Sequence, residues 1–314
     1  MREAQEVIPS LPAMYDEPLA DSSQIPTHLV SRLARGHVTV ALSGDAGDEL
    51  FAGYNRYPST ERLWRTLQRM PRPLRRVAGG GLARVPSGAW NGLATLLPAQ
   101  RRPKFFGARV QKLFGTMRDV STLEELSLTY LDEWAGKASP VLAARGAAGT
   151  DRFDMDLGPG APDLSRMMYC DAVTYLPDDV LAKVDRAAMA VSLETRIPFL
   201  DHRVAAVAAR IPLSMKIRDG QGKYILRRLL YKYAPRELFE RPKAGFAVPV
   251  GTWMKGPLRS WVEETLDPSR MRQQGYLDAD VVQRRWRAHL SGDKDATQAL
   301  WSVLMFQSWL AENG

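Results

Sequence analysis

The run Ser43-Gly44-Asp45-Ala46-Gly47-Asp48-Glu49-Leu50-Phe51-Ala52-Gly53-Tyr54 concentrates the residue types from which a phosphate site can be built. Gly44, Ala46 and Gly47 let the main chain come close to a ligand, and their N–H groups can point at anionic oxygens if the turn forms a nest. Asp45, Asp48 and Glu49 add hard oxygens. These would repel a bare polyanion but can hold one through Mg²⁺, which takes one or two carboxylates together with substrate phosphates. A metal nucleotide is the favoured guest. On residue types alone, an acidic first turn capping a helix is an equal reading. A second concentration is Arg241-Pro242-Lys243-Ala244-Gly245-Phe246, where Pro242 and Gly245 fix an irregular loop around a single lysine. Loops of that sort tend to carry function.

The acidic turn must be positioned by the apolar run His37-Val38-Thr39-Val40-Ala41-Leu42, which reads as a buried strand. In open α/β sheets, ligands bind at the carboxyl ends of such strands. Before it, a helical pattern through Leu29, Val30, Leu33 and Ala34 ends at Gly36, giving half of a crossover in a parallel sheet. After it, Asp48 to Tyr54 should open a helix that continues through Glu61 to Met70. Pro71, Pro73, Gly79-Gly80-Gly81 and Pro86 are expected to break the next segment into short pieces. A second loop-rich passage covers Pro140 to Ala161, and from Asp163 onward helices dominate.

Asp178-Asp179 after Pro177 marks a helix start, with Val180, Leu181, Val184 and Ala188 at core-facing spacing. On that helix Asp185 and Met189 lie one turn apart and can look into one cleft. The competing reading is that Lys183, Asp185 and Arg186 form surface ion pairs of little energetic weight. Glu194 and Arg196 flank Thr195 and share one side of an extended segment, where buried pairing and substrate contact are equally open. Lys223 and Arg227 share a helix face, suited to a phosphate or carboxylate or simply to a solvated basic edge. Two amphipathic helices, Leu277 to His289 and Ala296 to Leu310, close the chain, with Trp286, Leu300, Trp301, Leu304, Phe306 and Trp309 as packing residues.

The 314 residues carry a net charge of +8 and one cysteine, Cys170, which excludes an intramolecular disulfide framework. Cys170 reads as a small packed side chain. There is no apolar run of about 18 residues to span a bilayer, and the first ten residues lack the apolar centre of a signal peptide. A cytoplasmic enzyme without a membrane partner is expected. Twelve Lys or Arg face one acid between Glu61 and Lys112, yet no nucleic-acid motif accompanies them, so a soluble face or contact with another domain is the better reading. His28, His37, His202 and His289 have no ligand-like spacing, and zinc is not supported.

Taken in order, Tyr15-Asp16-Glu17-Pro18-Leu19-Ala20-Asp21-Ser22-Ser23, the Ser43 to Tyr54 turn, Asp179-Val180-Leu181-Ala182-Lys183-Val184-Asp185-Arg186 with Met189, Leu193-Glu194-Thr195-Arg196-Ile197-Pro198-Phe199-Leu200-Asp201, Gly222-Lys223-Tyr224-Ile225-Leu226-Arg227 and the Lys243 loop form a specific set. The chain resembles the synthetase domain of glutamine-dependent asparagine synthetases over nearly all its length. The resemblance implies a helix-rich α/β fold: a partial adenine-nucleotide α-hydrolase-like (HUP) parallel sheet with a mainly α-helical remainder. It implies one synthetase-type domain over 1–314, truncated at its amino-terminal side. Within it, 1–60 would be the remnant of the nucleotide-binding sheet, 61–162 a basic, loop-interrupted helical excursion and 163–314 the helical part.

The implied chemistry is a two-step amide synthesis. ATP, with Mg²⁺, activates the β-carboxylate of aspartate as an acyl adenylate, and ammonia derived from glutamine attacks it. Position by position, Ser43 and Gly44 match the nucleotide-contacting strand end and Asp48 a Mg²⁺ ligand. Asp45 matches an acidic residue that organises adenylation, and Lys243 the lysine that neutralises charge on the phosphates. The match sets Asp185 as a site-lining residue on an equal footing with the surface ion-pair reading. Two departures stand out. The family's Ser-Gly-Gly-x-Asp-Ser pyrophosphate loop is absent, and Met1-Arg2-Glu3 carries no glutaminase cysteine. Both parts are expected on a missing segment or a separate chain. The same scaffold amidating another carboxylate, or a catalytically silent subunit, are the alternatives.

Overall fold

The structure is a computed structural model that describes residues 2–95, 106–130, 133–134, 139–143, 160–240, 246 and 248–314. In chain order, the short helices α1 (Arg2–Glu6) and α2 (Leu11–Met14) precede α3 (Gln24–Arg35), strand β1 (Val40–Leu42), the one-turn helix α4 (Gly47–Leu50) and α5 (Arg56–Gln68). Next come α6 (Arg72–Ala83), α7 (Ser87–Ala94), α8 (Phe106–Asp119) and α9 (Leu123–Leu128). Helix α10 (Asp163–Val173), a π-helical stretch Leu176–Leu181, α11 (Ala182–Met189) and strand β2 (Glu194–Arg196) follow. The carboxyl-terminal third holds α12 (His202–Arg210), α13 (Leu213–Lys216), α14 (Tyr224–Leu230), α15 (Val250–Lys255), α16 (Arg259–Thr265), α17 (Pro268–Gln274), α18 (Ala279–Ser291) and α19 (Thr297–Asn313). The chain is helix-rich with a small parallel sheet, and no helix among the described residues is long and apolar enough to cross a membrane.

Contacts gather the chain into two units, one of 1–59, 149–249 and 308–314 and the other of 60–148 and 250–307. Residues 250–307 therefore group with 60–148 rather than with the rest of the stretch after 163.

In the first unit, α3 buries Gln24, Ile25, His28 and Ser31, a three-to-four-residue spacing that gives it one inward face. It packs against α11 and ends where Gly36 caps it. Strand β1 pairs in parallel with β2, Val40 opposite Glu194 and Leu42 opposite Arg196. The backbone bonds Glu194 N–H to Thr39 O and Ser43 N–H to Arg196 O show that Thr39 and Ser43 turn their main chain toward β2, which by alternation turns that of Val40 and Leu42 away. The expectation of a buried strand is overturned: Leu42 is 76% exposed, and Val38 and Val40 are exposed as well. An apolar run records which residues favour an extended chain, not what covers them. Among the described residues β1 has a single neighbour, so one edge stays open.

Pro177 and the two aspartates after it do not start a regular helix. The chain breaks at Thr174, then winds as the π-helical stretch that leads directly into α11. Pro177 brings no N–H to the ladder, and wide π turns accommodate such a gap.

In the second unit, α8 packs against both α6 and α7. The three glycines expected to break the chain instead lie inside α6. A Cβ on Gly79 would stand 2.7 Å from the Phe114 carbonyl oxygen, so glycine there permits a close helix crossing rather than a turn. Of the basic residues in this segment, Arg75 is buried and donates to the Val120 carbonyl. In the terminal helices Trp286, Leu300, Trp301 and Leu304 are buried as read from sequence, alongside Trp253, Met254 and Met271, whereas Phe306 and Trp309 are only partly buried.

Candidate functional site

Strand β1 delivers the chain into the acidic turn, and β2 holds the turn through the Ser43 N–H to Arg196 O bond of 2.8 Å. Ser43 Oγ donates to Asp45 Oδ2, which fixes the first carboxylate beside the strand end. Ala46, in left-handed conformation at φ 65°, reverses the chain into α4. Beneath the turn, Ala46 packs with Leu176 and Val180 of the π-helical stretch, against which Leu50 and Phe199 also rest. An apolar floor thus holds a polar, partly exposed rim.

Asp48 leaves α4 on that rim, and its Oδ2 lies 2.9 Å from Lys223 Nζ, each side chain keeping about a quarter of its surface in water. Lys223 reaches it because the residue caps α14 in the left-handed region at φ 56° and its N–H donates to the Phe51 carbonyl. Two glycines make room. A Cβ on Gly53 would stand 2.0 Å from Asp48 Oδ1 and 2.3 Å from Lys223 Cε, and one on Gly222 would stand 2.1 Å from the Ala52 carbonyl oxygen. The glycines at the end of the Ser43 to Gly53 run and before Lys223 therefore serve the meeting of Asp48 with Lys223.

Not every acidic residue of the turn joins this rim. Glu49 is buried, accepts a 2.6 Å hydrogen bond from the Tyr54 hydroxyl, and has its pKa pushed up by burial and by the nearby Asp48 and Asp171. It belongs to an inner cluster in which Arg56 pairs with Asp171 at 2.7 Å and lies 4.3 Å from the Tyr54 ring centroid and 5.0 Å from that of Tyr175. The carboxylates of the turn that stay at the rim are those of Asp45, bonded to Ser43, and Asp48, paired with Lys223. Among the described residues no three His, Cys, Asp or Glu side chains gather into a protein-only metal site.

The other sequence candidates separate. Glu194 and Arg196 pair on β2, Arg196 Nε donating to Glu194 Oε1 at 2.7 Å, but both are exposed, so the pairing is not buried. The reason is the same open sheet that leaves β1 uncovered. Asp185 is 62% exposed on α11 beside Arg186, which pairs with Asp16 at 2.5 Å. Arg227 does not act with Lys223. Its guanidinium donates to the Gly222 carbonyl and to Glu240. Lys243 and the loop from Arg241 to Gly245 lie outside the described residues, as does most of the passage from Pro140 to Ala161. Cys170 is buried in α10.

The reading of Lys183 as part of a surface ion pair is corrected by the structure. Lys183 is buried on α11, bonded to Asp21 and 3.8 Å from Asp179, while Ser23 donates its N–H and hydroxyl to Asp21. The i, i+4 spacing of Asp179 and Lys183 was a signal; the third member stands 162 residues away. Burial works against the charge on Asp21, but the Lys183 ammonium and the Ser23 bonds outweigh it and hold its pKa low. Asp179 is the opposite case. Burial, then the adjacent Asp21 charge, pushes its carboxyl up to about 7.

A carboxyl whose folded pKa lies above its unfolded value stabilises the fold fully below the unfolded value and loses that contribution as pH rises through the folded one. Urea unfolding is therefore expected to show wild-type stability falling by about 1–2 kcal/mol more than that of Asp179→Asn between pH 5.5 and pH 8, the range being discounted for coupling to Asp21. Parallel pH profiles of the two proteins would show that Asp179 does not carry the proton.

The family sequence model described as Asparagine synthase matches residues 1–311. A protein of Mycobacterium tuberculosis named putative asparagine synthetase [glutamine-hydrolyzing] is 36% identical over 317 residues, covering 98% of this chain and 45% of that protein. Asparagine synthetase [glutamine-hydrolyzing] 1 of Bacillus subtilis is 31% identical, with the same coverage of 98% and 45%. A more distant relative, amidase chyE of Penicillium rubens, is 20% identical over 260 residues, covering 78% of this chain and 37% of its own. The chain spans a little under half the length of the first two. With the family model matching residues 1–311 and two relatives above 30% identity aligned over nearly every residue of this chain, the chain belongs to the asparagine synthase family.

Proposed function

We propose that this chain carries the ATP-dependent amide-forming step of an asparagine-forming ligase. ATP transfers its adenylyl group to the β-carboxylate of aspartate with release of pyrophosphate, and ammonia then displaces AMP to form the amide. The observation that carries the reading is the family match over residues 1–311. The pairing of Asp48 with Lys223 at the carboxyl end of β1 agrees with it, because it sets a carboxylate and an ammonium where a triphosphate needs them. Mg²⁺, when bound, supplies neutralisation of phosphate charge, and Asp48, with Asp45 beside it, is the residue to hold it. Ser43 and Gly44 offer a hydroxyl and an open backbone to the nucleotide, and Lys243 is assigned to the charge that grows on the departing pyrophosphate.

In this reading β1 and β2 are two strands of an adenine-nucleotide α-hydrolase-like parallel sheet within a cytoplasmic enzyme. The nitrogen comes from glutamine hydrolysed by a portion or partner outside these residues. The relatives named as glutamine-hydrolysing extend well beyond the part this chain matches. A second reading, amidation of a different carboxylate, draws on the relative named an amidase.

The test is pyrophosphate release by the protein with ATP, Mg²⁺ and ammonium, with product identified by mass spectrometry. Aspartate is expected to be required, with asparagine formed one for one with pyrophosphate. Turnover of another acid with none of aspartate would replace the substrate. No acid-dependent release, with or without a glutaminase partner, would overturn the enzyme reading for this chain.

A further inference from the structure

Lys216, the last residue of α13, is 7% exposed, and among the described residues its side chain makes no hydrogen bond or ion pair. It borders a cavity of about 270 Å³ between α4, α10, α12 and α13. The apolar walls include Leu50, Met168, Ala172 and Ala208, and the other polar side chains are those of Ser165, Tyr169 and Glu49. Glu49 does not neutralise the lysine. One of its oxygens accepts from the Tyr54 hydroxyl, and among the described residues no ion pair joins it to Lys216. Burial also pulls the Lys216 pKa down, the response of an ammonium with no counter-charge.

From this arrangement we propose that the cavity binds a small monocarboxylate with a short apolar body. The carboxylate pairs with the Lys216 ammonium, supplying the missing charge, with the Ser165 hydroxyl as a second donor. The apolar body fills the space left by the small side chains of Ala172 and Ala208 beside Met168. A single cation in a cavity of this size excludes a triphosphate, which needs several charges met at once. A neutral ligand of the same shape would leave the ammonium as costly as before. The site is separate from the Asp48–Lys223 rim, although Glu49 on its wall directly follows Asp48 in α4. The proposal is independent of the amide-forming reading, since it concerns binding alone.

Calorimetric titration of the full chain with isobutyrate tests it, with isobutyramide as the uncharged isostere. Saturable isobutyrate binding is expected, at least about tenfold tighter than isobutyramide, since only the acid pairs with the lysine. Lys216→Met should weaken isobutyrate about tenfold or more while circular dichroism stays unchanged. Ala208→Leu, which leaves the lysine in place, should weaken it by filling the cavity. The absence of saturable isobutyrate binding, equal affinity for the amide, or undiminished affinity in Lys216→Met would each overturn the assignment. The amide comparison uses wild-type protein only and decides the matter even if a variant does not fold.

Discussion

Asp48→Asn is expected to lower Mg²⁺-dependent ATP affinity by about tenfold or more and aspartate-dependent pyrophosphate release by about a hundredfold or more, while the fold persists. Asparagine keeps the shape that fits against Gly53, where a Cβ would stand 2.0 Å from Asp48 Oδ1, so the packing of the turn survives. What it loses is the charge. The side chain is half-buried and its ion pair with Lys223 retains water, so the loss costs the fold only about 1 kcal/mol or less.

A simple structural pairing can be told from a role toward the nucleotide with Lys223→Met, which breaks the same ion pair but leaves the carboxylate. If Asp48 serves only to anchor Lys223, the two variants will lose ATP binding equally. If it serves the metal nucleotide, Asp48→Asn will lose more in the presence of Mg²⁺, and the two will converge when Mg²⁺ is omitted. Wild-type affinity and pyrophosphate release in Asp48→Asn would remove the acidic turn from the site.

How far the sequence reveals this arrangement depends on the distance over which each feature is decided. The helix ending at Gly36, the extended run after it and the acidic turn are set by neighbours within a few residues and follow one another as the pattern predicts, although the strand is confined to Val40–Leu42 and the helix after the turn stops at Leu50. Lys223 is recognisable as a cation after a glycine, but its meeting with Asp48 depends on a left-handed backbone and two close glycine contacts that no periodicity encodes. Glu49 and Asp48 are adjacent and chemically alike, yet one is buried against Tyr54 and the other faces Lys223. The helical turn divides them, and composition does not. The exposure of Leu42 has the same origin at larger scale: strand propensity is local, whereas cover comes from elsewhere in the chain. Lys183 is the extreme, since its polar sequence neighbours suggest a surface ion pair and only Asp21, far away in the chain, explains its burial.

That buried lysine should also be the costliest residue in the first unit to neutralise. Lys183→Met removes the ammonium from between Asp21 and Asp179 and leaves two carboxylates in a site where the lysine is 10% exposed and the acids 23% and 30%. Breaking a buried pair costs about 3–5 kcal/mol, most of it from the charge left behind. The residual water at both acids brings the expectation to about 2–4 kcal/mol of unfolding free energy at neutral pH. Methionine retains the length and apolar stem of lysine, so the cost is not that of a cavity.

The sign of the pH dependence separates this account from simple packing loss. Without the ammonium, Asp21 loses the partner that holds its pKa low, both acids favour their protonated forms, and the deficit should shrink as pH falls toward 5. Adding Asp21→Asn removes one of the stranded charges, so the double variant should recover stability relative to Lys183→Met, a coupling that urea midpoints at fixed pH would read directly. A deficit in Lys183→Met that does not change with pH and is not relieved by Asp21→Asn would mean that the lysine acts through its alkyl stem alone, and that the charges of this cluster are balanced by solvent rather than by one another.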